Sequence, residues 1–132
     1  MNTILRNVAA ACTVAIAAAA CASSIPRAER LAAYQSFAGE PVKQIRYFSP
    51  QGWEEVDDDH ILLSMRPSEV YLVRLSGPCL QYDNGAVAMA VTNTGGWIQN
   101  KFDYISFGTG MRCRIEEMRP VDMAGLRASR PG

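Results

Sequence analysis

The run Asp57-Asp58-Asp59-His60 is the first place where this sequence could do chemistry. Carboxylates and an imidazole are ligands for divalent cations, and an imidazole beside a carboxylate can work as a general base. Adjacent residues seldom converge on one ion, because neighbours on a strand point to opposite sides. The spacing also differs from that of an EF-hand loop. The run therefore reads as a solvated turn leading into a strand, and no Ser or Cys nucleophile can be assigned to His60. The expectation is a non-catalytic protein with no metal and no cofactor. The competing reading is a metal-dependent protein or small hydrolase-like enzyme using His60 with Asp57 and Asp59.

A second cluster runs from Arg112 to Arg119, with Asp122 beyond it. Arg112, Arg114 and Glu116 alternate, so on a strand they share a face, and two guanidinium groups there could hold an anion. Ion pairs between neighbours are the plainer use of such a run. Gly108-Thr109-Gly110 and Asn93-Thr94-Gly95-Gly96 lack the wider glycine spacing of a phosphate loop, and both read as turns. Trp53 and Trp97 each follow a glycine at a turn, where a ring could line a ligand or partner surface. Trp53, Trp97, Arg112 and Arg114 are the candidate binding residues.

The elements that must position these residues follow from periodicity. Arg27 to Ala38 carries Leu31, Tyr34 and Ala38 at helical spacing, with Gly39 and Pro41 as the stop. From there the period falls to two. Strands are expected over Val42–Phe48, Trp53–Val56, His60–Met65, Glu69–Leu75, Ala86–Thr92, Trp97–Phe107 with a bend near Asn100, and Cys113–Met118. Val70 and Leu72 face one way and Tyr71, Val73 and Leu75 the other, so Glu69–Leu75 should be central. Asn93–Gly96 should be a hairpin turn, and Asp122 can cap a short final helix. The fold class is α+β. An N-terminal helix packs on a curved, mainly antiparallel sheet of about six strands, and a short C-terminal helix follows.

Residues 1–22 have the form of an address. Arg6 is followed by a 13-residue apolar run, Val8 to Ala20, and then by small residues. That run is too short to span a bilayer, which takes about 20 residues, and the pattern is that of a secretory signal peptide. Ala18-x-Ala20 and Ala20-x-Ala22 fit ordinary signal peptidase. Ala18-Ala19-Ala20-Cys21 resembles a bacterial lipobox, in which Cys21 would be lipidated. Ala22 after Cys21, where an Asp would signal inner-membrane retention, implies the outer membrane. The expected organisation is a signal peptide over 1–20, a tether over 21–26 and one globular domain over 27–130.

The chain has 132 residues, with 13 basic and 13 acidic side chains. Losing Arg6 leaves 12 basic residues against 13, or about −1. Nucleic acid and bulk attraction to anionic lipid need a basic excess, so neither is expected, and the membrane is met through the lipid anchor only. The partner is an unknown envelope protein or small ligand. Of four cysteines, Cys12 lies in the apolar run and Cys21 at its end. Cys79 and Cys113 remain, and two thiols in an exported domain read as one disulfide. It would close a loop of about 35 residues and contribute on the order of 4 kcal/mol.

Several short patterns are spread over most of the mature chain. They are Ala38-Gly39-x-Pro41-Val42, Arg46-Tyr47-Phe48, Trp53, Tyr71-Leu72 leading to Gly77-Pro78-Cys79, and Phe102-Asp103. The last is Cys113-Arg114-Ile115-x-Glu117-x-Arg119-Pro120-Val121-Asp122. In these the sequence resembles a family of small exported proteins and lipoproteins of proteobacteria, catalogued as a domain of unknown function. The resemblance implies an envelope location and a small α+β domain. It supports the Cys79–Cys113 disulfide and carries no activity with it. An outer-membrane lipoprotein facing the periplasm, or else a free periplasmic protein, is the location expected.

Overall fold

The computed structural model describes residues 25–77, 88–108 and 111–130. The elements are α1 (Arg27–Ser36), β1 (Gln44–Arg46), β2 (Gly52–Glu55), β3 (His60–Arg66), β4 (Glu69–Leu75), β5 (Met89–Val91), β6 (Trp97–Gln99), β7 (Tyr104–Phe107), β8 (Arg112–Pro120) and α2 (Met123–Ser129). The α+β class and the mainly antiparallel six-stranded sheet hold. Its order is β2-β3-β4-β8-β7-β5, with every neighbouring pair antiparallel. The helix expected at the N-terminus is small, spans ten residues and begins only at Arg27.

The pairing of β5 and β6 departs from the sequence reading. Asn93–Gly96 does turn the chain, with Gly95 and Gly96 at φ 60° and 87° and a bridge from Thr94 to Trp97. β5 nevertheless pairs with β7, while β6 leaves for a separate two-stranded ribbon with β1. The registers Ile45↔Ile98 and Arg46↔Trp97 explain why: Ile45 and Ile98 are both buried and enter the main core. A turn signal is local, whereas burying Ile98 needs β1, about 50 residues earlier in sequence.

β4 is central, as its two apolar faces require. Tyr71, Val73 and Leu75 join the core inside the curved sheet, with Ile61, Leu63, Ile105, Ile115 and Met118. Val70 and Leu72 meet Tyr34, Val56, Val121 and Leu126 on the other side, under the two helices. Register shifts in the β3–β4 pair near Ser64/Arg66 and in the β4–β8 pair at Arg74/Leu75 increase the local twist and let the sheet curl. The end of α1 is tied down where Gly39 N donates to Pro120 O at 2.7 Å and Val42 N to Met118 O at 2.8 Å. Asp122 caps α2 as its sequence position predicts, Oδ1 accepting from Gly125 N at 2.9 Å.

Candidate functional site

The Asp57–His60 turn closes the β2–β3 hairpin. Val56 N and Asp57 N both donate to His60 O, at 2.9 and 3.3 Å. Asp57 Oδ1 accepts from the backbone N–H groups of Asp59 (3.0 Å) and His60 (2.8 Å). Because the segment is a turn and not a strand, its side chains do not alternate. His60 Nδ1 lies 2.8 Å from Asp57 Oδ1 and 2.8 Å from Asp59 Oδ1. One ligand atom from each of Asp57, Asp59 and His60 falls within 4.8 Å of the others. The expectation that these neighbours would point apart is corrected here: Asp57 and Asp59 lie in the turn before β3, where alternation does not hold, and only His60 belongs to the strand.

The two carboxylates differ. Burial pushes Asp57 up, but hydrogen bonds from Asp59 and His60 outweigh it and hold its carboxyl below the usual range. Asp59 is raised, first by burial and then by its hydrogen bond to Asp57, with the His60 charge opposing. The three side chains can share a proton or offer a hard donor set to a divalent cation. Both of these contacts are made by Nδ1 of the His60 ring. Arg27 fixes the turn against α1, pairing with Asp58 at 2.9 Å and Glu55 at 3.0 Å.

A second feature opens where the curled sheet fails to close. β2 and β5 are its two edges, and a cleft of about 470 Å³ lies between the β2 side (Tyr47, Gly52, Trp53) and the β5 side (Met89, Val91). Trp53 is paired with Leu63, Met89 with Phe107 and Val91 with Ile105. Each therefore points into the inner core, and each is only partly buried. Among the described residues, these edges thus expose apolar side chains beside strand backbone that has no ladder partner on its outer side. Trp53 leans on Phe107 with ring centroids 5.1 Å apart.

The remaining candidates do not assemble with these. The Arg46 guanidinium stacks over Trp97 at 5.3 Å. Arg112 stacks over Tyr104 at 4.6 Å, and Arg114 pairs with Glu116 on its own strand at 2.8 Å. Asp122 serves α2 at the far end of β8. Cys113 is buried in β8, while Cys21 and Cys79 lie outside the described residues.

A model of a family of unknown function (DUF6491) matches residues 3–131. The chain belongs to the DUF6491 family. No curated protein and no solved structure matches it.

Two residues of this DUF6491 member, Asp103 and Tyr71, stand in the patterns quoted from the sequence, which gives neither of them a role. Asp103 is buried, Oδ1 accepting from Thr92 Oγ1 at 2.8 Å and Oδ2 from Gln99 N at 2.7 Å. It organises the β6–β7 turn, where Lys101 has φ 68° and Phe102 is 71% exposed. The polar pair Asn100-Lys101 just before Phe102-Asp103 was the available signal for a turn in place of a bend. Tyr71 donates to Glu69 Oε1 at 2.8 Å, and burial, then that hydrogen bond and the Glu69 charge, push its phenol up to about 12.

Proposed function

We propose that this DUF6491 member is a non-catalytic cell-envelope protein whose work is binding, with the cleft between β2 and β5 as its ligand site. The observation that carries the reading is Trp53: a large aromatic on a sheet edge, facing the core yet reachable through the cleft. Its uncharged walls combine polar groups (Ser49, Gln51) with Trp53, Met89 and Val91, which suits a small uncharged ligand with an apolar part or an uncharged segment of a partner, and the volume lies within the range of ligand pockets. Export rests on the signal-like segment 1–20. Anchoring to the outer membrane rests on Cys21, and the free periplasmic form is the alternative. The Cys79–Cys113 disulfide is supported by topology. Ser76 N donates to Arg114 O at 2.9 Å and Arg114 N to Ser76 Oγ at 3.1 Å. That puts the chain three residues before Cys79 alongside the neighbour of Cys113, a gap three residues can bridge.

The test uses a neutral apolar dye, N-phenylnaphthylamine, with the Trp97→Phe variant so that emission comes from Trp53. The dye should quench or accept energy from Trp53 and bind at least tenfold more weakly after Trp53→Ala. Equal binding by the Ala variant would remove the cleft as the site. Intact mass of the protein recovered from host membranes tests the anchor through the adduct on Cys21.

The convergence of Asp57, Asp59 and His60 favours a second reading, a divalent-cation site. Titration with zinc, manganese and calcium decides it. Stoichiometric binding lost on His60→Ala supports the site, and its absence with all three metals ends the reading.

A further inference from the structure

The β6–β7 turn is held more firmly than a short connection needs. Lys101 is in the left-handed region at φ 68°, a conformation a lysine keeps only where its surroundings enforce it. Asp103 anchors one side of the turn through Thr92 and Gln99. On the other side Lys101 N donates to Ile115 O at 2.6 Å and Asn100 N to Lys43 O at 3.0 Å. What the clamp holds out is Phe102, 71% exposed, the most exposed of the large hydrophobic residues described.

Charge gathers at the same place. The chain has two lysines, Lys43 and Lys101, and the Asn100–Lys43 hydrogen bond brings their backbones together beside Phe102. Both are exposed, and among the described residues neither forms an ion pair. Carboxylates lie nearby as well: Asp103 is buried and committed to the turn, Glu40 is exposed close to Lys43 in sequence, and Glu117 stands on β8 between Ile115 and Met118, whose carbonyls bond Lys101 and Val42; among the described residues none of the three forms an ion pair with either lysine. Within a chain of balanced net charge, two amines without ion pairs among the described residues thus stand together beside an exposed aromatic.

We infer that this turn docks on an anionic phospholipid surface, Phe102 entering the headgroup–acyl boundary and Lys43 and Lys101 meeting lipid phosphates. A lone aromatic at the tip of a turn suits an interface that yields around it; a protein hot spot instead lies within a packed, desolvated patch. Phe is among the apolar side chains that interfacial elements bury at the boundary between headgroups and acyl chains, and exposed amines are drawn to anionic lipid over about a Debye length. Such a contact is weak alone and adds to a lipid chain as a second signal. A lipid on Cys21 would set the distance of the domain from the membrane, and the turn would set which face it presents. The inference rests on the envelope reading only for where the protein meets a membrane.

The test uses the exported protein carrying Cys21→Ser, which cannot be acylated. It is sedimented with phosphatidylglycerol/phosphatidylethanolamine vesicles and, in parallel, with phosphatidylcholine vesicles. Binding should appear with the anionic vesicles and fall as salt rises. Phe102→Ser should weaken it by about tenfold, the scale of losing one buried aromatic side chain. The pair Lys43→Gln/Lys101→Gln should weaken it by a similar factor. Phe102 is exposed, so Phe102→Ser should leave thermal unfolding unchanged and report binding alone. No binding to anionic vesicles at low salt, equal binding to phosphatidylcholine, or equal binding by the variants would each overturn the inference. Vesicle binding with no adduct on Cys21 in the native protein would remove the lipid anchor and leave the docking surface standing.

Discussion

Trp53 and Phe107 meet with ring centroids 5.1 Å apart and planes tilted by 49°. Their strands are separated in the sheet by β3, β4 and β8. In a flat sheet, four strand spacings of about 4.8 Å would hold them about 19 Å apart. The contact therefore measures the curl of the sheet, and it marks the point at which curling stops short of closure. It is also where the inner core can be reached from outside.

The pair should couple energetically. Phe107 is 3% exposed, and its truncation to Ala should cost about 3 kcal/mol. Trp53 is partly exposed, so Trp53→Ala should cost less, about 2 kcal/mol. A double-mutant cycle in urea unfolding should give a coupling of about 1 kcal/mol, the size found for aromatic pairs. A coupling of zero would mean that other contacts hold the curl.

Strand positions were readable because alternation reports burial directly. His60–Arg66 and Glu69–Leu75 fall where Ile61, Leu63 and Met65, and Val73 and Leu75, require them. Asp122 was readable because a cap is a local device. Partner choice was not, since β6 pairs with β1 to bury Ile98 against a residue far away in sequence. The Asp57–Asp59–His60 convergence escaped for a related reason: turn geometry, not residue identity, aims those side chains. The cleft at Trp53 was legible only as a tryptophan beside a glycine, because nothing in one strand says that its sheet will leave a gap.

Gly125 gives a test in which two local rules conflict. Alanine is a better helix former than glycine by about 1 kcal/mol. A Cβ at Gly125 would land on Asp122 Oδ2 and come within 3.2 Å of Phe37 Cδ1. The Asp122 carboxylate would have to leave the helix end, and losing a cap costs about 1 kcal/mol before the Phe37 contact is counted. Those two terms cancel, so the tight Phe37 contact decides the sign, and Gly125→Ala should be mildly destabilising. Calorimetric unfolding checks the sign, and a rise in Tm would show that α2 shifts freely.

Tyr71 should set an alkaline limit. Its phenol is pushed up to about 12 by burial and by Glu69, against about 10 in an unfolded chain. Between those values the folded state holds a proton that the unfolded state has released. The stability contributed by Tyr71 is thus complete below about pH 10 and is lost as pH rises towards 12. Titrating phenolate absorbance should show a late step near pH 12 that Tyr71→Phe removes. A late step that persists in the variant would assign it to another tyrosine.

The β6–β7 turn separates strain from hydrogen bonding. Asp103 presents acceptors to both Thr92 Oγ1 and Gln99 N. Asp103→Ala empties a buried position and removes the acceptor of two part-buried hydrogen bonds, and should cost about 3 kcal/mol. Asp103→Asn keeps one acceptor but turns an NH₂ towards the other donor, so it should cost less, about 2 kcal/mol. Lys101 tests the backbone alone, because its φ of 68° penalises any residue with a Cβ. Lys101→Gly relieves about 1 kcal/mol of strain and gives back part of it as unfolded-chain entropy, so its net effect should be zero to slightly stabilising. Lys101→Val meets the same φ with a β-branched side chain and should destabilise by about 1 kcal/mol or more. Urea midpoints of the four variants should rank Gly highest and Asp103→Ala lowest. A destabilised Gly variant would show that the Lys101 side chain, and not only the Asp103 hydrogen bonds, holds Phe102 out.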